Sequence, residues 1–259
     1  MPFADVSGAR LHYRFDGAAD APVLMLSNSL GTNVEMWAPQ MDALAARYRV
    51  LRYDSRGHGQ SAVTPGPYTV AGLARDALGL LDALRLDRVL FCGLSLGGMV
   101  GQWLGANVPQ RIARLALCNT AAHMDAADAY NARIDAVVRG GMASVVDAVI
   151  ARWYTPAFIA AAPDAIATTR AMLLATPAAG YVASCAAVRD MDQRESAPRI
   201  GVPTLVVVGA HDLATPPAAG RFIAQQVPGA RLVELAAAHL SNVEASAAFT
   251  AALVEFLDA

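Results

Sequence analysis

A serine between two glycines most constrains how this chain can fold. Residues 93–97 read Gly-Leu-Ser-Leu-Gly, a G-x-S-x-G motif. The apolar run at 88–93 predicts a strand before it, and the pattern at 96–107 predicts a helix after it. Flanking glycines allow a tight, strained strand-to-helix turn that holds the Ser95 hydroxyl at the end of a sheet. The motif therefore predicts a nucleophile, against the alternative of an ordinary serine in a glycine-rich turn.

Strand and helix patterns alternate along most of the chain. Further strands are predicted at 23–27, 50–53, 112–119, 204–209 and 231–235, and further helices near 37–47, from 69, and ending near 227 and 257. This alternation predicts an α/β fold with a mostly parallel sheet and helices on both faces. Short runs at 3–6 and 11–15 around a turn at 7–9 predict an N-terminal antiparallel hairpin at the sheet edge.

The alternation stops between residues 121 and 196. Helical spacing, as in Val146, Val149 and Trp153, dominates there without a convincing strand. We therefore expect a helical cap at 121–196, inserted into a core made of residues 1–120 and 197–259.

Composition excludes several classes of function. Hydrophobic residues make up 55% of the chain and charged residues 16%, which favours a compact globule. The net charge is −2 without a basic stripe, so no nucleic-acid partner is expected. The basic residues are all arginine, so an anion site must use Arg or backbone amides. Glycine and proline interrupt the uncharged stretches at 89–110 and 171–188, so no membrane association is expected either.

The N-terminal stretch and the cysteines predict a cytoplasmic protein. Asp5 and Arg10 interrupt the apolar stretch that a signal peptide would need. Cys92, Cys118 and Cys185 are odd in number and lie in apolar surroundings, which indicates reduced core thiols. The sequence makes no prediction of the oligomeric state.

A serine nucleophile requires a base and an orienting acid. His239 follows the last predicted strand, near the carboxyl edge where ligand sites of such sheets form, and is the predicted base. Asp212 follows the preceding strand and is the predicted acid, with His211 as a structural neighbour. Asn119, at the competing acid position, has no carboxylate to supply.

A second glycine-rich loop, YDSRGHGQS at 53–61, carries another histidine. We expect Asp54 and Arg56 to pair and brace the fold. We do not expect His58 to be catalytic.

Taken together, the motif around Ser95, the D-x-R-G-x-G-x-S loop, Asp212 and His239 resemble an α/β-hydrolase with a helical cap. Four stretches resemble the 3-oxoadipate enol-lactonases (β-ketoadipate enol-lactone hydrolases) of aromatic catabolism: SNSLGTN at 27–33 with Met36 and Trp37, YDSRGHGQS, CGLSLGGMVGQWLG at 92–105, and AHLSNVE at 238–244. Capped hydrolases in general carry His-Gly where this chain has Asn28 and Ser29, and this departure matches the lactonases.

The resemblance implies a serine hydrolase that opens an anionic lactone through an acyl-enzyme, giving 3-oxoadipate. The implied reaction requires neither a metal nor an organic cofactor. Placing residues 26–31 on the usual L-x-H-G-x pattern puts one oxyanion-hole amide at Leu30, and the residue after the nucleophile, Leu96, supplies the other.

The carboxylate of such a substrate needs an arginine in the cap. The candidates are Arg133, Arg139, Arg152, Arg170, Arg189 and Arg194, and we favour Arg133 because its surroundings resemble the lactonase cap. Trp153 is expected either to wall the substrate pocket or simply to pack within the cap.

Other serine hydrolases of this fold would share the triad: a general carboxylesterase, a carbon–carbon bond hydrolase or a perhydrolase. A ligand-sensing receptor of the same fold is an alternative of a different class.

Overall fold

An eight-stranded sheet forms the centre of the computed structural model, which describes residues 2–6 and 8–259. Its strands are β1 (Phe3–Val6), β2 (Ala9–Asp16), β3 (Val23–Ser27), β4 (Arg49–Tyr53), β5 (Val89–Leu94), β6 (Ile112–Cys118), β7 (Thr204–Gly209) and β8 (Arg231–Leu235). The spatial order is β1-β2-β4-β3-β5-β6-β7-β8.

The sheet is mostly parallel with an antiparallel edge, as predicted. β2 pairs antiparallel with β1 and with β4, and the remaining pairs are parallel. Ser7, in the turn predicted between β1 and β2, lies outside the described residues.

The register brings the carboxyl ends of the parallel strands to one edge. Ser27 pairs with Gly93, Leu94 with Cys118, and Gly209 with Leu235. Because parallel strands end on the same side, the loops after β3, β5, β6, β7 and β8 all leave from this edge.

Helices cover both faces of the sheet. Those outside the interval 121–196 are α1 (Met41–Ala45), α2 (Val70–Ala83), α3 (Leu96–Asn107), α9 (Pro217–Gln226), α10 (Ser241–Glu244) and α11 (Ser246–Asp258). α2 packs against α3, while α10 and α11 pack together with the segment Val34–Gln40. The fold class predicted from the alternation is therefore confirmed.

Sequence and structure agree closely at α2. The side chain of Thr69 accepts a hydrogen bond from the Gly72 N–H at 3.0 Å and so caps the helix N-terminus. Leu73, Ala77 and Leu80 form a buried stripe with helical spacing.

The helix predicted at 37–47 was wrong in its first half. The chain forms 3₁₀ turns over Val34–Gln40, and the α-helical part is only Met41–Ala45. Pro39 lies inside the 3₁₀ segment and has no backbone N–H to donate, which disfavours a regular α-helix there.

Five α-helices lie between β6 and β7: α4 (Ala127–Gly140), α5 (Val146–Trp153), α6 (Pro156–Ala161), α7 (Pro163–Ala175) and α8 (Ala178–Asp190). α4 packs on α8 and α5 on α7. All of residues 119–203 are described, and they contain no strand, only an isolated bridge between His123 and Asp192. The helical content is as expected, and the division into a core and a cap at 121–196 stays a proposal.

The three cysteines are free and buried, as predicted. Within residues 2–6 and 8–259, no single helix is long and apolar enough to cross a membrane. One pair, Pro163–Ala175 with Ala178–Asp190, passes that test jointly by length and composition and is bent by 97°.

Candidate active site

Ser95 occupies a strained turn between β5 and α3. Its backbone has φ 57° and ψ −115°, a region that L-residues rarely adopt. A Cβ on Gly93 would lie 2.1 Å from the carbonyl oxygen of Gly97, and a Cβ on Gly97 would lie 2.1 Å from that of Ser27. Both glycines of the motif are therefore required by close backbone approach, as the sequence analysis assumed.

Asp212 and His239 meet at the carboxyl edge of the sheet. The His239 Nδ1 lies 2.8 Å from Asp212 Oδ2, and both residues are about 2% exposed. Asp212 Oδ1 accepts hydrogen bonds from the backbone N–H groups of Ala214 and Thr215 at 2.8 and 2.9 Å. The hydroxyl of Thr215 donates to Oδ2 at 2.8 Å.

These partners keep the Asp212 carboxylate ionised. Burial by itself raises the pKa of this carboxyl, but the electrostatic attraction of the His239 ring and the hydrogen bonds from His239, Thr215 and Asn119 outweigh it and hold the pKa below its usual value. An ionised carboxylate accepts the Nδ1–H of His239, and so leaves Nε2 with a lone pair that can take a proton.

Asn119 supports this pair, although it cannot act as the acid itself. Its Nδ2 donates to Asp212 Oδ2 and to the carbonyl oxygen of Ala238, both at 3.1 Å. Its Oδ1 accepts from the hydroxyl of Ser241. Asn119 therefore links the loops that carry the acid and the base, a role that the sequence analysis missed.

Ser95 and His239 line the same cavity, together with Leu30, Arg133 and Trp153. In the described part of the chain, no hydrogen bond joins Ser95 Oγ to His239. Catalytic hydrogen bonds in unliganded enzymes are often long and tighten when substrate binds. The structure thus brings the predicted nucleophile, base and acid together, with the Asp212–His239 contact already formed.

The two predicted oxyanion-hole amides are both available. Leu30 lines the cavity and Leu96 directly follows Ser95 at the start of α3, and neither N–H has a hydrogen-bond partner among residues 2–6 and 8–259. The Gly97 N–H donates to the carbonyl oxygen of Asn28 at 3.0 Å, which joins the loop after β3 directly to the start of α3. The two amides belong to these two joined segments.

Side chains hold the loop at 27–33 in place. The Asn28 Nδ2 donates to the carbonyl oxygen of Tyr53, and its Oδ1 accepts from Trp37 Nε1, both at 2.8 Å. The Gly31 N–H donates to His58 Nε2 at 2.9 Å. Burial lowers the pKa of His58, which favours the neutral ring that this bond requires. His58 is thus a support of the loop next to Leu30.

The expected pairing of Asp54 with Arg56 was wrong. Asp54 pairs instead with His12, whose Nδ1 lies 2.7 Å from Asp54 Oδ2, and accepts the Val34 N–H at 2.9 Å. Arg56 donates from Nε to Asp76 at 2.7 Å. Both partners come from elements outside the loop, so spacing within the loop could not identify them.

The six arginines considered for the substrate carboxylate differ in their surroundings. Arg170, Arg189 and Arg194 form ion pairs with Asp147, Asp190 and Asp192, and Arg139 is exposed. Arg133 and Arg152 line the cavity, and neither forms an ion pair within the described residues. The Arg133 guanidinium lies 5.1 Å from the centroid of the Tyr130 ring, and Arg152 donates to the carbonyl oxygen of Leu213 at 2.6 Å.

Trp153 lies beside the candidate base. Its ring centroid is 6.0 Å from that of His239, at an angle of 35°. Its carbonyl oxygen accepts the Leu240 N–H at 3.1 Å, which ties the end of α5 to the loop after β8. Trp153 therefore lines the cavity and connects α5 to the loop that carries the candidate base.

Among residues 2–6 and 8–259, no group of three or more His, Cys, Asp or Glu side chains is arranged to hold a metal ion. The expectation of a reaction without metal or cofactor stays a prediction.

Comparisons with known proteins agree with the observed fold. A family model described as alpha/beta hydrolase fold matches residues 22–147. 3-Oxoadipate enol-lactonase 2 of Acinetobacter baylyi is 39% identical over 243 residues, covering 94% of this chain and 91% of that protein.

Solved structures extend the comparison to the whole chain. The crystal structure of the enol-lactonase from Burkholderia xenovorans matches with a TM-score of 0.98 at 47% identity, covering 100% of both chains. A thermophilic esterase from Thermogutta terrifontis matches with a TM-score of 0.92 at 28% identity, covering 100% of this chain and 98% of that one. Both the sheet and the inserted helices lie within these matches.

Proposed function

Because the chain belongs to the α/β-hydrolase family and is a carboxylic ester hydrolase similar to enol-lactonases, we propose that it opens the lactone ring of 3-oxoadipate enol-lactone to give 3-oxoadipate. This proposal rests on one observation: Ser95, Arg133 and His239 line the same cavity, and His239 is paired to Asp212. A nucleophile, its base and a cationic group suit a small anionic ester.

In the first half of the reaction, Ser95 Oγ bonds to the lactone carbonyl carbon while His239 Nε2 takes its proton. Asp212 stabilises the imidazolium that forms. Collapse of the tetrahedral intermediate breaks the ring carbon–oxygen bond, and His239 returns the proton to the departing enol oxygen. The enol becomes a ketone, which makes ring opening favourable.

In the second half, His239 removes a proton from water, and the resulting hydroxide attacks the acyl-enzyme. Collapse of this second intermediate returns the proton to Ser95 and releases 3-oxoadipate. In both halves negative charge develops on the former carbonyl oxygen, where the Leu30 and Leu96 N–H groups can donate. A donor of this kind typically contributes about 2.7–4 kcal/mol to transition-state stabilisation.

The substrate carboxylate pairs with Arg133 in this proposal. The Arg133 side chain is half-buried at the cavity, whereas Arg152 is more exposed and already donates to Leu213. Burial raises the pKa of the neighbouring Tyr181 phenol, so this group stays neutral and does not compete for the guanidinium as an anion.

Replacing Arg133 with alanine is expected to raise KM for the enol-lactone about 10- to 100-fold, because a charge-assisted hydrogen bond is lost. KM for a neutral aryl ester should change little. Steady-state kinetics on both substrates measure the difference. Arg139→Ala is the matched control, since Arg139 lies on the same helix, is exposed and does not line the cavity. Equal losses on both substrates would exclude Arg133 as the carboxylate partner.

A rate comparison on purified protein tests the proposed function. We expect kcat/KM for enol-lactone hydrolysis, followed by ultraviolet absorbance, to exceed that for a neutral aryl ester by about 10- to 100-fold, the factor for one charged contact of about 1.5–3 kcal/mol. Chromatography should identify 3-oxoadipate as the product. Preferred cleavage of the aryl ester would favour a general esterase instead. A single turnover followed by retained ligand would favour a sensor.

A further inference from the structure

The hydroxyl of Ser29 is a buried polar group that no protein group satisfies. Ser29 is 2% exposed, and its Oγ has no hydrogen-bond partner among residues 2–6 and 8–259. Ser29 also lines the cavity that contains Ser95 and His239. Because a buried hydroxyl without a partner costs free energy, a molecule bound in the cavity is a candidate partner for it.

The backbone does not require a serine at this position. Ser29 is absent from the residues with positive φ, so alanine could adopt the same conformation. The surrounding contacts use its backbone: the Ser29 N–H points to the Met36 sulfur at 3.3 Å, and the Thr32 hydroxyl donates to the Ser29 carbonyl oxygen at 2.8 Å. The hydroxyl is thus held on a fixed backbone and makes no contribution of its own to the loop.

Ser29 directly precedes Leu30, whose free N–H is the candidate oxyanion donor. Only a few covalent bonds separate Ser29 Oγ from the Leu30 amide nitrogen, so one oxygen atom can accept hydrogen bonds from both groups. The carbonyl oxygen of a lactone bound at Ser95 is such an acceptor, and it gains negative charge during the reaction.

We propose that the Ser29 hydroxyl donates a hydrogen bond to the substrate carbonyl oxygen as it becomes the oxyanion, beside the N–H groups of Leu30 and Leu96. This inference rests on the proposed function for its substrate. It makes Ser29 a third donor of the oxyanion hole, and it gives a chemical reason for a serine where capped hydrolases in general carry glycine.

Ser29→Ala tests the inference, because it removes the hydroxyl and little else. We expect kcat for the enol-lactone to fall about 10- to 100-fold, somewhat less than the loss of a main oxyanion donor. KM should change less than about threefold, since the bond strengthens only as charge develops. The melting temperature should stay equal or rise, because the hydroxyl has no partner to lose.

Ser184→Ala is the matched control. Ser184 is also fully buried with an unpartnered hydroxyl, but it does not line the cavity. Its replacement should leave kcat and KM unchanged.

Inhibition by a boronic acid, which forms a tetrahedral adduct with Ser95, is a second measurement. The affinity of the boronic acid should fall in Ser29→Ala by about the same factor as kcat/KM.

Three outcomes would overturn the role of Ser29: an unchanged kcat, a rise in KM alone, or a loss of activity matched by a loss of stability. The same comparison on an aryl ester separates this inference from the proposed substrate, because an ester carbonyl develops the same oxyanion. Wild-type protein that cleaves the ester but not the lactone overturns the substrate only. Equal kcat values for wild type and Ser29→Ala on the cleaved substrate overturn the third donor only.

Discussion

Ser95→Ala is expected to lower kcat for enol-lactone hydrolysis by about 10⁶-fold, the scale seen when a catalytic serine of a triad is removed. Without Oγ no acyl-enzyme can form, and His239 has no nucleophile to deprotonate. The melting temperature should change little, because serine and alanine are both strained at φ 57° and the hydrogen bonds of Ser95 within the described residues use its backbone atoms.

Two measurements accompany this rate. Circular dichroism and thermal melts should show that the variant keeps its fold. Mass spectrometry of wild type and variant, each quenched during turnover of a slowly deacylating ester, should find an acyl adduct on the wild type alone. Hydrolysis by the variant near the wild-type rate would exclude Ser95 as the nucleophile and with it the acyl-enzyme mechanism.

Asp212→Asn is expected to lower kcat about 10⁴-fold through the histidine tautomer. The Asp212 Oδ1 accepts the backbone N–H groups of Ala214 and Thr215, so the remaining oxygen of an asparagine must stay at that position. The new NH₂ then faces His239 Nδ1, which can only accept. The proton moves to Nε2, where it blocks uptake of the Ser95 proton.

Steady-state rates over a range of pH check this prediction. The loss should persist at every pH between 6 and 9, because the wrong tautomer is fixed by hydrogen bonds and does not depend on titration of a carboxylate. Asp190→Asn is a suitable control, since Asp190 is an exposed carboxylate that pairs with Arg189 away from the cavity. Near wild-type activity in Asp212→Asn would mean that another group orients His239.

Local signals explain which elements could be predicted from the sequence. The helix at 96–107 and the strands at 204–209 and 231–235 were predicted with their observed limits, because glycines or prolines flank clear apolar patterns. The α-helix predicted from residue 37 was wrong at its start, because Pro39 favours 3₁₀ turns over 34–40 while the apolar spacing continues through it. Periodicity detects buried faces and is less sensitive to backbone hydrogen bonding.

Partners from distant segments explain what the sequence could not predict. Asp54 and Arg56 are two residues apart, yet their partners lie on β2 and α2. In the sequence only a resemblance favoured Arg133 among the six candidate arginines, and the ion pairs of three others became visible only in the packed structure. In the sequence Ser29 stood out only as a departure from the usual glycine, because the absence of a partner for its hydroxyl is a property of the packed molecule alone.

The bond from the Gly31 N–H to His58 Nε2 has a consequence for tolerance of acid. Protonation of His58 would place a hydrogen on Nε2 facing the Gly31 N–H, and the loop would lose an anchor beside Leu30. Burial opposes this protonation more strongly than the nearby Asp54 charge and the Arg56 carbonyl favour it. The buried ring therefore remains an acceptor at a lower pH than an exposed imidazole would, and its burial protects the loop at 27–33 against mild acidification.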